Sequence, residues 1–462
     1  MQSLTKKYIG DRAFYRRMLA IAVPVMVQVG ITNFVNLLDN VMVGQLGTEA
    51  MTGVSIANQL ITIFNLAVFG LVSGAGIFAA QFFGKGDMES LRYSFRFKIL
   101  GSLLVCALGA AAFLLFPEPL VSIYLTGEGD PAAIAESLRI GKQYLLILLI
   151  GFLPFALSQS YCGTLRETGN TVAPMVASMA AVFINLGLNY VLIFGHFGAP
   201  MLGAAGAAIA TVISRYAEAL IVILYAHKNA KKRPYAKGLY RSIHIPKALF
   251  FSIFKKTLPL MTNEILWALG LSLLAQCYST HGYGVMSANS ISQTIYTVFS
   301  IFFAALGTAI GILVGQRLGA SDTDGAVDTF RKMAVFGVFV CIVIGAVMVL
   351  TAPIFPAFYK TDAEVDTLAT AFIRIIGLCM PLTGYAHFCY YTVRSGGRTL
   401  LTFLFDSFYI CGLVVTVGYA MTWLGASIIA VYLVTHLTDL GKCIIGTVMI
   451  KSGIWIQDIT KQ

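Results

Sequence analysis

Gln81-Phe82-Phe83-Gly84-Lys85-Gly86-Asp87 returns 235 residues later as Gln316-Arg317-Leu318-Gly319-Ala320-Ser321-Asp322. The same punctuation surrounds both copies. Pro24 pairs with Pro259 upstream and Arg96 with Arg331 downstream at that offset, while Gln59 pairs with Gln293 one residue short of it. The repeat goes on through Leu165-Arg166-Glu167-Thr168-Gly169-Asn170-Thr171, echoed by Val393-Arg394-Ser395-Gly396-Gly397-Arg398-Thr399. A chain of 462 residues that repeats itself near its midpoint reads as two similar lobes.

The material between these signposts is apolar. Hydrophobic residues make up 58% of the chain, charged residues 11%, and the mean hydropathy is +0.80. Soluble domains carry about 25% charged residues. Apolar runs long enough to cross a bilayer recur along the whole length. They predict twelve spans, near 15–43, 51–82, 93–116, 138–162, 172–195, 203–226, 248–278, 285–316, 331–357, 367–393, 398–422 and 426–450. The expected fold is therefore all-α and membrane-embedded, with an N-lobe over 1–226, a basic linker over 227–247 and a C-lobe over 248–462. Nucleotide-binding and hydrolase signatures (GxxxxGK[ST], HExxH, GxSxG) are absent from the sequence, so no enzyme and no intrinsic ATP drive is expected. Eight cysteines without CxxC spacing read as buried thiols rather than a zinc site or a disulfide framework.

Loop charges set the orientation. Residues 227–256 hold nine lysines and arginines, Lys228 and Lys231 among them, and no acid, which marks a cytoplasmic segment. Residues 117–136 hold Glu118, Glu128, Asp130 and Glu136 and no base, and Lys360 stands against Asp362, Glu364 and Asp366, so both segments are expected outside. Lys6, Lys7 and Arg12 precede a first apolar run that lacks a small-residue cleavage site, so that run reads as a retained helix. Six spans per lobe then place both termini in the cytoplasm and relate the lobes by an axis along the membrane normal. The net charge of +11 is accounted for by such loops, so a nucleic-acid partner is not expected.

Ionisable groups inside hydrocarbon are costly, about 2.5–3.5 kcal/mol on insertion scales. Asp39 shares a helical face with Thr32 and Asn36. The fifth span brings Ser178, Asn185 and Asn189, and the sixth brings Thr211. A carboxylate, amide oxygens and a hydroxyl suit a small hard cation or a titrating carboxyl group. Glu264, beside Asn263 and Trp267, is the lone acid of the seventh span and reads as a proton carrier or a partner for a cationic substrate. Arg215 with Glu218, and His436 with Asp439, are spaced to neutralise each other on one helical face. Arg166 and Arg394, at helix ends, read as partners of the helix dipole and the lipid headgroups. Asp406 and His387 have no assigned role at this level. Phe34 and Tyr296 lie on spans placed to line a cleft, where aromatic surfaces bind flat or cationic molecules.

Asp39-Asn40-Val41-Met42-Val43-Gly44-Gln45-Leu46-Gly47, with Val54 to Gln59, resembles the first-loop signature of the multidrug and toxic compound extrusion family. Leu165 to Thr171 resembles its fourth-to-fifth helix turn, and Asn185 to Gly195 with Gly203 to Thr211 its fifth and sixth helices. The resemblance implies two six-helix lobes around a central cleft and export of organic cations and other drugs in exchange for Na⁺ or H⁺. It implies a cation site at Asp39, Asn185, Asn189 and Thr211, with Asp39, Asn185 and Asn189 as the Na⁺ ligands if Na⁺ is the coupling ion, and a second acid at Glu264. Asn36, Phe34, Asn263, Trp267 and Tyr296 are the substrate-cleft candidates. No cofactor, a monomer and a plasma-membrane location are expected. The rival reading is a lipid-linked precursor flippase of the same two-lobe architecture. Two departures stand out: an amide occupies position 189, where some relatives carry an acid, and residues 379–384 contain no carboxylate.

Overall fold

The computed structural model describes residues 7–125, 130–228, 232–359 and 361–461. Lys6, Glu128, Lys231 and Lys360, counted above as loop charges, lie outside the described residues. Every regular element among the described residues is helical. The long ones are α1 (Arg12–Gly44), α2 (Thr48–Lys85), α3 (Met88–Leu115), α4 (Pro131–Leu149), α5 (Phe152–Glu167), α6 (Val172–Phe194) and α7 (Ala204–Lys228). They continue with α8 (Lys247–Ser279), α9 (Tyr283–Gly319), α10 (Thr323–Thr351), α11 (Ala363–Ser395), α12 (Thr399–Trp423) and α13 (Ile428–Ser452). Eleven of these are each long and apolar enough to cross a membrane, and α4 with α5 forms a twelfth as a bent pair. Helix α2 has 38 residues, about 57 Å at 1.5 Å per residue, against a hydrocarbon core of about 30 Å. It must tilt or project beyond the core.

The fourth span departs from the expected single helix over 138–162. It starts at Pro131 and bends by 53° between α4 and α5. Pro154 has no N–H to offer the Ile150 carbonyl one turn back. That carbonyl instead accepts a hydrogen bond from the Tyr216 hydroxyl of α7 at 3.3 Å. Helix α12 departs in another way: residues 404–408 and 410–414 are wound as π-helix. Such turns are rare and concentrate at functional sites.

The chain forms two compact units. The N-unit comprises Val27–Ala79 and Met88–Phe254. The C-unit comprises Met1–Met26, Ala80–Asp87 and Lys255–Gln462. In the N-unit, α7 packs along α6 and against α4 and α5, while α3 packs on α5. A buried ion pair ties α3 to α5: Lys98, fully buried, meets Glu167, and its ammonium also donates to Thr164 Oγ1 at 3.2 Å. A side chain at Gly76 would run into the Glu167 carboxylate, so glycine there makes room for the pair.

In the C-unit, α11 is the central helix, packed against α9, α10 and α13. Phe372 stacks on Tyr432 with ring centroids 3.9 Å apart. The repeated motif meets its copy inside this unit. Gly86 and Ser321 occupy equivalent places, and both have positive φ, +82° and +58°. The next residue closes the same turn in each copy, Asp87 N to Phe82 O at 2.9 Å and Asp322 N to Arg317 O at 3.0 Å. A serine in the left-handed region is uncommon, and the preserved turn is what holds it there.

Candidate functional site: a polar cavity in the N-unit

Helices α1, α6 and α7 bring Asp39, Asn185, Asn189 and Thr211 together. The Asn189 amide nitrogen donates to Asp39 Oδ1 at 2.7 Å. Thr211 Oγ1 donates to the Ala207 carbonyl at 3.0 Å. Asn185 and Asn189 are buried, and Asp39 is partly exposed to a cavity of about 710 Å³.

The hydrogen-bond network orients the Asn185 amide with its nitrogen toward the carboxylate: it donates to Asp39 Oδ2 at 2.9 Å, and its oxygen accepts from Thr211 N at 3.3 Å. That arrangement satisfies a bare carboxylate. Asn189 Oδ1 is buried without a hydrogen-bond partner, which leaves one more oxygen for a cation or water. No cluster of three His, Cys, Asp or Glu side chains able to hold a metal occurs among the described residues. One carboxylate with amide and hydroxyl oxygens fits a monovalent ion or a proton better than a divalent metal.

Thr32 and Asn36 also line the cavity, whereas Phe34 does not and is 61% exposed. Arg215 and Glu218 do not pair as their spacing suggests. Glu218 accepts from Ser178 Oγ and from Ser158 Oγ. Arg215 instead lies over the Phe155 ring, 4.9 Å from its centroid. Arg166 turns inward from its helix end and donates to Gln28 Oε1 at 2.9 Å. It is a cavity residue rather than a headgroup contact.

The C-unit holds a separate buried network. Glu264 Oε1 accepts from the Tyr390 hydroxyl at 3.4 Å and faces Arg394 Nη1 at 3.5 Å. Arg394 is buried, which corrects the expectation of a lipid-facing helix end: a guanidinium with a carboxylate in reach gains more there than at the helix terminus. The Asn263 nitrogen donates to Asp406 Oδ2 at 3.2 Å, and Lys442 donates to Asp406 Oδ1 at 2.9 Å. Residues 379–384 supply no acid, but Asp406, on the π-wound part of α12, is bonded directly by Asn263, the residue before Glu264. The His436–Asp439 pair does not form: His436 Nδ1 meets the Tyr432 carbonyl, and Asp439 accepts from Thr383 Oγ1 at 2.6 Å. Trp267 is 36% exposed, and Tyr296 packs near Phe303 with the rings tilted at 45° and their centroids 6.2 Å apart.

The family model described as MatE matches residues 24–191 and 259–434, one match in each half of the chain. The chain belongs to the MatE family. Among curated relatives, this MatE chain is 23% identical over 393 residues to the probable multidrug resistance protein NorM of Thermotoga maritima, covering 81% of this chain and 79% of that one. It is 24% identical over 417 residues to the probable multidrug resistance protein YoeA of Bacillus subtilis, covering 88% and 87%. A solved MATE structure in a straight conformation superposes with a TM-score of 0.86 at 17% identity, covering 96% of both chains. An outward-facing multidrug resistance MATE transporter superposes at 0.84 and 16% identity, covering 96% and 97%. The chain is thus a multi-pass membrane transporter of the MATE type.

The Lys98–Glu167 pair, Lys442 and Arg394's partner were not anticipated from sequence. A signal existed for the lysines, since Lys98 interrupts Phe97 and Ile99, and Lys442 precedes Cys443-Ile444-Ile445. The cost argument that flagged Asp39 and Glu264 applies equally to them.

Proposed function

We propose that this MATE transporter exports small organic molecules across the plasma membrane in exchange for Na⁺ or H⁺. The observation that carries the reading is the Asp39 carboxylate, open to the cavity and held by the amide nitrogens of Asn189 and Asn185 on α6, with Asn185 in turn held by Thr211 on α7. A proton or Na⁺ on Asp39 competes with those amide nitrogens for the same carboxylate oxygens, so ion occupancy and helix contacts are linked. An ion that binds one conformation more tightly than the other shifts the population between them, and equal affinity shifts nothing. Glu264 is the second acid of the cycle, held by Tyr390 and Arg394 in the C-unit.

In this reading the lobes, residues 1–226 and 248–462, expose the substrate alternately to either side, with the 227–247 linker and both termini in the cytoplasm. Asn36 faces substrate from the cavity wall, the protein acts as a monomer, and no cofactor takes part. The test is efflux of fluorescent small organic dyes, one cationic and one zwitterionic, from proteoliposomes under separately imposed Na⁺ and H⁺ gradients. Efflux should follow at least one gradient in the native protein and neither in Asp39→Asn, which should remain folded and monodisperse. Gradient-driven export by Asp39→Asn equal to that of the native protein removes Asp39 from the mechanism.

A further inference from the structure

Four charged side chains line the N-unit cavity: Asp39, Arg166, Arg215 and Glu218. Three are already engaged. Arg166 donates to Gln28 Oε1, the Gln28 nitrogen donates to Ser178 Oγ at 2.6 Å, and Ser178 donates to Glu218, so one hydrogen-bonded chain links a base to an acid. Asp39 is held by Asn189. Arg215 is the exception among the described residues: its guanidinium forms no hydrogen bond or ion pair there, and its Nη1 is buried without a partner.

A guanidinium inside a membrane-spanning helix normally finds a carboxylate or a carbonyl. This one has Tyr144 and Glu218 only within electrostatic range and the face of Phe155 in contact, and that contact leaves the in-plane N–H donors unspent. The aromatic side chains of the cavity are Tyr144 and Phe155, and the Phe155 ring is taken by Arg215. No aromatic cage is left for a bare lipophilic cation. The rest of the wall is rich in amides, Asn58, Gln59, Asn65 and Gln159 among them. Asn65 Oδ1 is a buried acceptor with no partner. A space of about 710 Å³ lies within the range of about 300–1,000 Å³ for small-molecule sites.

We propose that the N-unit cavity takes a substrate that carries a carboxylate or a similar oxyanion, and that Arg215 is the group that binds it. The substrate class is then a zwitterion or an organic anion with hydrogen-bonding functions, not a simple organic cation. The proposal rests on the export reading for its transport consequence but not for its binding consequence. Arg215 binds the oxyanion in the plane of its guanidinium, the amides bind the neutral polar groups, and Asp39, beside Asn189, meets the coupling ion or an ammonium on the same substrate.

The experiment uses purified full-length protein and two rhodamine dyes identical except that one bears a free carboxylate and the other its methyl ester. Equilibrium binding is read by fluorescence anisotropy. The native protein should bind the carboxylate dye about ten-fold more tightly or better, the worth of one charged hydrogen bond. Arg215→Gln should collapse that ratio toward one, and Arg215→Lys should keep part of it. Equal or tighter binding of the ester by native protein overturns the proposal, as does binding of neither dye. A ratio unchanged in folded Arg215→Gln also overturns it. If Arg215→Gln does not fold, displacement of the carboxylate dye from native protein by benzoate but not by benzylammonium supports the proposal, and the reverse order overturns it. Because binding needs no gradient, failure of ion-driven efflux counts against antiport and leaves this outcome readable.

Discussion

Gly84 lies against the backbone carbonyl of Gln316, and Gly319, its repeat partner, lies against the backbone carbonyl of Gln81. The two contacts are the same contact made twice, once by each copy of the repeated motif. They bring the ends of α2 and α9 to a separation that no side chain allows. The Gln81 side chain reinforces this junction, donating to the Ser395 carbonyl at 3.0 Å and accepting from Ile459 N at 3.0 Å. Gly84→Ala and Gly319→Ala should each destabilise the protein by about 1–3 kcal/mol, the usual cost of overpacking. Thermal unfolding in detergent reads this as a lowered midpoint. Midpoints unchanged in both variants would mean that the helix ends separate freely.

Asn189→Asp places a second carboxylate beside Asp39. Two carboxylates in hydrogen-bond reach hold a proton between them or attract a cation. Na⁺ should therefore stabilise Asn189→Asp more than the native protein, with a midpoint that rises with Na⁺ concentration as ligand linkage requires. The same titration with a larger organic cation such as choline is the control. No Na⁺-specific increment in the variant would argue that Asn189 does not belong to the ion site.

Lys98→Met should be among the most destabilising single substitutions in the N-unit. It takes the ammonium away from the part-buried Glu167 carboxylate, and breaking a buried ion pair from one side costs about 3–5 kcal/mol. Replacing both partners, as in Lys98→Met with Glu167→Met, should recover most of the loss. A double variant no better than the single one would show that the pair does not act as a unit. The comparison is by melting midpoint and by yield of monodisperse protein.

Asp322 offers a pH readout away from the membrane-spanning segments. Hydrogen bonds from Arg317 and from Gly325 N hold its carboxyl group below the ordinary range. A depressed folded-state value contributes stability above the unfolded value of about 3.9, and that stability is lost as pH falls through the folded value. Asp322→Asn keeps the cap on α10 but not the charge. Between pH 5 and pH 3 the native midpoint should therefore fall further than that of the variant, by a small amount because the side chain is 39% exposed. Parallel curves would show that the Arg317 contact adds nothing.

The helical membrane fold was legible because hydropathy and a long-range repeat are properties of composition and spacing. The α1–α6–α7 site was legible because Asp39, Asn185, Asn189 and Thr211 are polar residues in apolar runs at helical spacing. The break at Ile150–Gly151 was not, since Pro154 falls near a helix start, where proline is ordinarily tolerated. The C-unit network was hidden for a different reason. Glu264, Arg394, Asp406 and Lys442 lie on four helices, and no local spacing brings them together. Arg215 and Glu218 show the converse: helical spacing placed them as a pair, and the serines of α5 and α6 took the carboxylate instead.

The winding of α12 through two widened turns has a consequence for insertions and deletions. Each such turn carries about one residue more than the ladder of an ordinary helix needs. Removing one residue from 409–414 would leave the segment apolar and long enough to span. It would also rotate everything on one side of the cut by about 100° relative to the other. Asp406 and the distal half of α12 could not then both keep their neighbours, so the surplus residue sets the azimuth at which this carboxylate meets Lys442.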